Sequence, residues 1–131
     1  MSLSNEYEGK MLDHLFGIAA MTSPTLWIGM STADPLDDGS GLAEPTGIGA
    51  YVRVAVAAWT RTGSEVANTN DFSFPEADAN QGTLTHLVAF DDETSVLPAN
   101  IVFSFEMDSP LAVDSGDQVT FHAGNCSVIM D

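Results

Sequence analysis

Three groups of residues have the types that chemistry uses. The first is Cys126, with His122 four residues earlier and Asp114 and Asp117 nearby in sequence. A nucleophile needs a thiol or hydroxyl beside a base and an orienting acid. Strand alternation opposes that use, because Cys126 falls on the same face as Val128 and Met130, where a free cysteine behaves as a small buried hydrophobe. No GxSxG elbow occurs. The second and third groups are acidic: Asp34, Asp37 and Asp38, and Asp91, Asp92 and Glu93. Hard cations such as calcium take six to eight oxygens from such groups. Counting from Asp34, Gly39 occupies the sixth place that an EF-hand loop requires, but Leu36 takes the third and Pro45 the twelfth.

The remaining candidates are weaker. His86 lies among Leu84, Val88 and Phe90 and reads as a hydrogen-bonded, half-buried histidine, while His14 sits apart on a helix. Asn125, Cys126 and Ser127 spell a glycosylation sequon, which carries no meaning without secretion. Polysaccharide hydrolysis needs paired carboxylates on a rigid cleft, and these acids lie in turn-forming segments. The residues therefore predict no enzyme, no cofactor and no metal site.

The elements that would position these groups are set by periodicity. Leu3, Tyr7, Met11, Leu15 and Ile18 recur at helical spacing, widened by Leu12 and Phe16, and predict an amphipathic helix over 2–18. Ser2 or Ser4 caps it, and Pro24 forbids its continuation. Such a helix packs on its own sheet or is swapped onto a neighbouring subunit. From residue 26 the period changes to two, with Leu26, Ile28 and Met30 alternating against Trp27, Gly29 and Ser31. A second strand is predicted over 51–59, central because both its faces are apolar. Between the two lies a long loop dense in Gly, Pro and Asp, and loops of that length are commonly functional.

Further strands are predicted at Phe72 and Phe74, from Gly82 to Phe90, and through Ile101, Phe103, Phe105 and Met107. Residues 60–70 read as a polar turn. Val119, Phe121 and Ala123 are expected to pair with Cys126, Val128 and Met130 through Gly124 and Asn125 as a terminal hairpin. Ile101, Phe103, Phe105, Val54 and Val56 are expected in one core. The pattern predicts a single domain over 1–131, mainly β: a jelly-roll-like β-sandwich (25–131) or partly closed barrel with one N-terminal amphipathic helix.

Charge narrows the partners. Nineteen acidic residues face only Lys10, Arg53 and Arg61, a net charge of −16. Such a field repels phosphate backbones and anionic membrane surfaces, so neither nucleic acid nor membrane is an expected partner. The start of the chain is polar and acidic where a secretory signal would be basic, which predicts synthesis in a cytoplasm.

Several runs resemble a family of small structural proteins of tailed bacteriophages. They are KMLDHLFG at 10–17, LWIGMSTADP at 26–35, DGSGLAEP at 38–45, AYVRVAV at 50–56, FPEA at 74–77, GTLTHLVAFD at 82–91 and VDSGDQVTF at 113–121. The resemblance spans nearly the whole chain and implies a virion structural protein made in the host bacterial cytoplasm. Size, the strand pattern and the lack of a catalytic constellation point to a capsid decoration, or cement, protein on the outer capsid surface. Its partners would be the major capsid protein and copies of itself, as a dimer or trimer. The alternative is a tail fibre, tail-tip or baseplate component contacting host glycans, with Trp27, Trp59 and Tyr51 as sugar platforms. In either case the expected partner contacts are Asp34, Pro35, Asp37, Asp38, Leu42, Glu44, Pro45 and Ile48 of the long loop, Leu3 and Tyr7 of the helix, and Trp27.

Overall fold

The computed structural model describes residues 2–95 and 97–130. The chain opens with a two-residue strand, β1 (Ser2–Leu3), and the helix α1 (Asn5–Leu15). Strand β2 (Leu26–Ser31) comes next, and after the long loop come β3 (Val54–Val56), β4 (Trp59–Thr62), β5 (Glu65–Asn68) and β6 (Phe72–Ser73). The second half holds β7 (Gly82–Phe90), a 3-10 turn at Pro98–Asn100, β8 (Ile101–Val113), β9 (Thr120–Phe121) and β10 (Ser127–Ile129). As the alternation predicts, the protein is mainly β with one N-terminal helix, and its sheets are not closed into a barrel.

The large sheet is antiparallel, in the order β1-β8-β7-β2-β3, and two small sheets pair β10-β5-β4 and β6-β9. Both faces of the large sheet are covered. On one, Ile28, Met30, Val56, Leu87, Ala89 and Phe103 form a core with Phe72, Phe74 and Cys126 from the segments around the small sheets. On the other, Val88, Phe90 and Ile101 form a second cluster, packed by Trp27 and by Leu42 of the long loop. Period-two alternation in β2 and β7 supplies both faces from the same strands.

Two irregularities shift this facing. The pairing of β7 with β8 slips between Leu84 and His86, so Leu84 joins Leu87 in the main core and not Val88 and Phe90 as its spacing predicts. A second slip between Ala89 and Phe90 leaves Val102 without a register partner in β7, which turns Ile101 to the second cluster while Phe103 stays in the first. The expected single core through Ile101 and Phe103 is therefore divided by a bulge, which adds one residue to a strand and reverses the facing of the residues beyond it.

Other expectations also change. The predicted helix over 2–18 is shorter, because Ser2 and Leu3 pair with Ser104 and Phe103 at the edge of β8. Ser4 then caps the helix: its N–H donates to Val102 O (3.0 Å) and its Oγ accepts from Tyr7 N–H (3.3 Å). The expected strand over 51–59 is interrupted, and β3 lies at the sheet edge, not at its centre. Its two-sided apolar pattern arises because Arg53 is covered by the loop while Tyr51 and Val56 face the main core. Residues 60–70 hold most of a hairpin, β4–β5, with Arg61 opposite Val66. The expected terminal hairpin does not form, since β9 pairs with β6 and β10 with β5. Buried Asn68 separates the two segments: its amide donates to His122 O and accepts from Cys126 N–H.

Candidate partner-contact surface

The loop after β2 lacks a ladder, so its backbone groups must find partners locally. Ser31 Oγ donates to Ala33 O and accepts from Ala43 N–H (3.1 Å), while Thr32 N–H donates to Ala43 O. Asp34 and Asp38 each close a small side-chain turn, accepting from Leu36 N–H and Ser40 N–H at 2.9 Å. The Ser40 hydrogen bonds hold the Asp38 carboxyl below its usual range. Asp37 O accepts from Asn5 N–H (3.0 Å), which ties the loop to the start of α1.

The loop is anchored by a charge pair. Glu44 receives Arg53 through two bonds, Nε to Oε1 (2.8 Å) and a terminal nitrogen to Oε2 (2.7 Å), with both side chains almost wholly buried. Arg53 also donates to Asp92 O and Ser95 O and stacks 3.3 Å from the Phe90 ring centre. Tyr51 donates its hydroxyl to Glu44 (2.6 Å) and accepts from Met30 N–H (2.9 Å). Burial, then the Glu44 charge, drives the Tyr51 phenol well above its ordinary range. The buried pair is thus held by a two-bond fork and by further hydrogen bonds to both partners, which a buried ion pair requires. Gly29 makes the approach feasible: a Cβ there would lie 2.7 Å from the Tyr51 hydroxyl and 2.8 Å from Glu44 Oε1.

The expected contact residues therefore separate. Asp34, Asp37, Asp38 and Ile48 are exposed, whereas Pro35, Pro45 and the Glu44 side chain are buried and hold the loop on the sheet. Leu42 and Trp27 pack together on the second cluster. Leu3 packs on the main core, and Tyr7 is buried with its hydroxyl donating to Asp91 (2.5 Å). Lys10 completes that corner, 3.8 Å from Asp91 and 4.2 Å from the Tyr7 ring centre. Arg53, around which the loop is built, was not among the expected residues; a lone cation in a valine-rich run is its only sequence signal.

The residues weighed for nucleophilic chemistry have other partners or surroundings. His122 pairs with Asp71 at 3.0 Å, and that bond lowers the Asp71 carboxyl. Cys126 is buried, which pushes its thiol up to about 12, away from the thiolate that nucleophilic attack needs. His86 is half-buried and bonded to Thr85 (2.9 Å), with Asp34 at 3.9 Å.

Outward-facing apolar side chains concentrate elsewhere. Only Tyr7 of α1 is fully buried. Leu15 and Ile18, expected in the packed stripe, and Leu12 and Phe16, expected to widen it, are exposed. The packed side of α1 is the one carrying Tyr7 and Met11, and the apolar residues beyond it turn away from the sheet.

A family model described as "Podophage GP4 fiber I protein gp80" matches residues 2–129. No curated protein matches the chain.

Proposed function

This chain belongs to the family of the podophage GP4 fiber I protein gp80, a family of phage structural proteins, and from that membership we propose that it is a component of a fibre on the virion. The match over almost the whole chain carries this reading. The long loop supports it by being bound to the sheet as a rigid surface. Its exposed Asp34, Asp37, Asp38 and Ile48 are the residues offered to neighbours, while Pro35, Glu44 and Pro45 hold that surface in shape. The role is structural and not catalytic, and copies of the chain assemble with one another or with other virion proteins.

Capsid decoration is the second reading, and the net charge of −16 is the observation in its favour. A strongly acidic protein stays soluble at high copy number and is repelled by packaged DNA, as suits an outer layer. Immunogold labelling of intact virions separates the two. Label confined to fibres or the tail region is expected. Label spread over the capsid faces would establish decoration instead, and absence of the chain from purified virions by mass spectrometry would overturn both.

A further inference from the structure

The C-terminal end of α1 carries an apolar tip left open by the described residues around it. Leu12, Leu15, Phe16 and Ile18 are 56%, 76%, 72% and 74% exposed, too much for side chains that merely rim a core. Residues three and four apart are neighbours on a helix surface, so Leu12, Leu15 and Phe16 adjoin. Ile18 is brought to them by the way the helix ends. Its N–H donates to Asp13 O (2.8 Å), Gly17 N–H donates to His14 O (3.3 Å), and Gly17 has φ +70°. This pair of bonds folds the chain back across the last turn. The tip is therefore a closed, hydrogen-bonded end and not a frayed one, and a contiguous exposed apolar cluster on such a support marks an interaction site.

Charge decides what fits it. Glu8 and Asp13 flank Leu12 along the helix, within a chain of net charge −16. Of the three cations, Arg53 is buried on Glu44, Lys10 is held at Asp91 over Tyr7, and Arg61 donates to Gly63 O (2.8 Å). A second copy placed against the tip would bring the same acids, and the best-paired of its three cations, Arg53, is buried on Glu44. The same field disfavours an anionic lipid surface. We propose that the tip formed by Leu12, Leu15, Phe16 and Ile18 docks on a different protein, one presenting an apolar surface rimmed by Lys and Arg. Such a partner suits a chain on a fibre or on the shell alike.

The test uses the full chain and two amphipathic helical peptides that share a leucine face, one with lysines and one with glutamates on its rim, monitored by fluorescence anisotropy. The Leu/Lys peptide is expected to bind and weaken with added salt, and the Leu/Glu peptide is expected not to bind. Leu15→Asp or Phe16→Asp should weaken Leu/Lys binding by about tenfold or more, as for an interface anchor. Attraction by net charge alone predicts the reverse, because each variant adds a negative charge; equal or tighter binding overturns the proposal. So does failure of the wild type to bind the Leu/Lys peptide. Concentration-dependent dimerisation in the ultracentrifuge, lost in Phe16→Asp, would place a second copy on the tip and also overturn it. Thermal melts check folding, and Leu15→Gln and Phe16→Ser replace the aspartates if those variants unfold.

Discussion

Two connecting regions of this chain are built in opposite ways. Residues 32–50 are rich in Gly, Pro and Asp, yet turn Pro35, Leu42, Glu44 and Pro45 inward. Residues 12–18 are rich in large apolar side chains, yet present Leu12, Leu15, Phe16 and Ile18 to solvent. The difference lies in the backbone. A loop has no ladder, and its N–H and C=O groups must be met by nearby atoms, which pulls it onto the sheet and buries what it carries. A helix meets its own backbone groups and here even closes its last turn. It can therefore stand partly off the core. Composition predicts which residues prefer water, but backbone satisfaction decides which segment reaches it.

That contrast can be broken most decisively at Arg53. Arg53→Met leaves a buried Glu44 carboxylate without its partner, as well as the carbonyls of Asp92 and Ser95, and should cost about 3–5 kcal/mol in denaturant unfolding. The double variant Glu44→Gln/Arg53→Met should recover much of the loss. A single variant as stable as wild type would mean that the loop is not anchored there. Next in size, Gly29→Ala places a Cβ 2.7–2.9 Å from Tyr51, Glu44 and Phe90. These side chains are buried and have no room to yield, so about 1–3 kcal/mol of destabilisation is expected, read by the same titration.

Much of this frame was legible from spacing. Leu26–Ser31 and Gly82–Phe90 are strands with the predicted ends, because strict alternation between turn residues leaves little choice of period. A serine cap, at Ser2 or Ser4, and the burial of Cys126 were also readable. What escaped depends on pairing between distant segments. No local pattern reveals that Thr85 and Val102 sit at register slips, or that Asn68 separates the last two strands. In the loop, the Gly and Pro residues correctly announced turns, but burial of Glu44 depends on Arg53 nine residues later and on Gly29 in another strand. At the helix, Leu12, Leu15 and Phe16 matched an amphipathic stripe, yet the sheet edge had room only for the side bearing Tyr7.

Smaller effects sharpen the contrast from the acid side. Asp92 accepts from Thr94 N–H and Ser95 N–H in the segment that Arg53 grips, and these bonds hold its carboxyl below the usual range. A carboxyl lowered on folding stabilises fully above its unfolded value of about 4 and loses that contribution as pH falls through the lowered value. Melting temperature should therefore fall below about pH 4, and Asp92→Asn should flatten that limb. An unchanged acid limb in the variant would remove Asp92 from the account.

The least effect on stability belongs to the tip of α1. Phe16→Ser removes an aromatic ring that is 72% exposed, so little buried area is lost on substitution. Serine and phenylalanine have similar helix propensity, and position 16 is the C-cap, where interior propensity matters less. The expected change is within about 0.5 kcal/mol, as for surface substitutions generally. Had the ring packed in the core, its loss would cost about 3–5 kcal/mol. The two outcomes differ by far more than a denaturant titration resolves. A large loss would make the tip part of the core and remove the contrast with the loop. A negligible loss accompanied by weakened binding of the Leu/Lys peptide would mean that these apolar residues are kept for contact and not for folding.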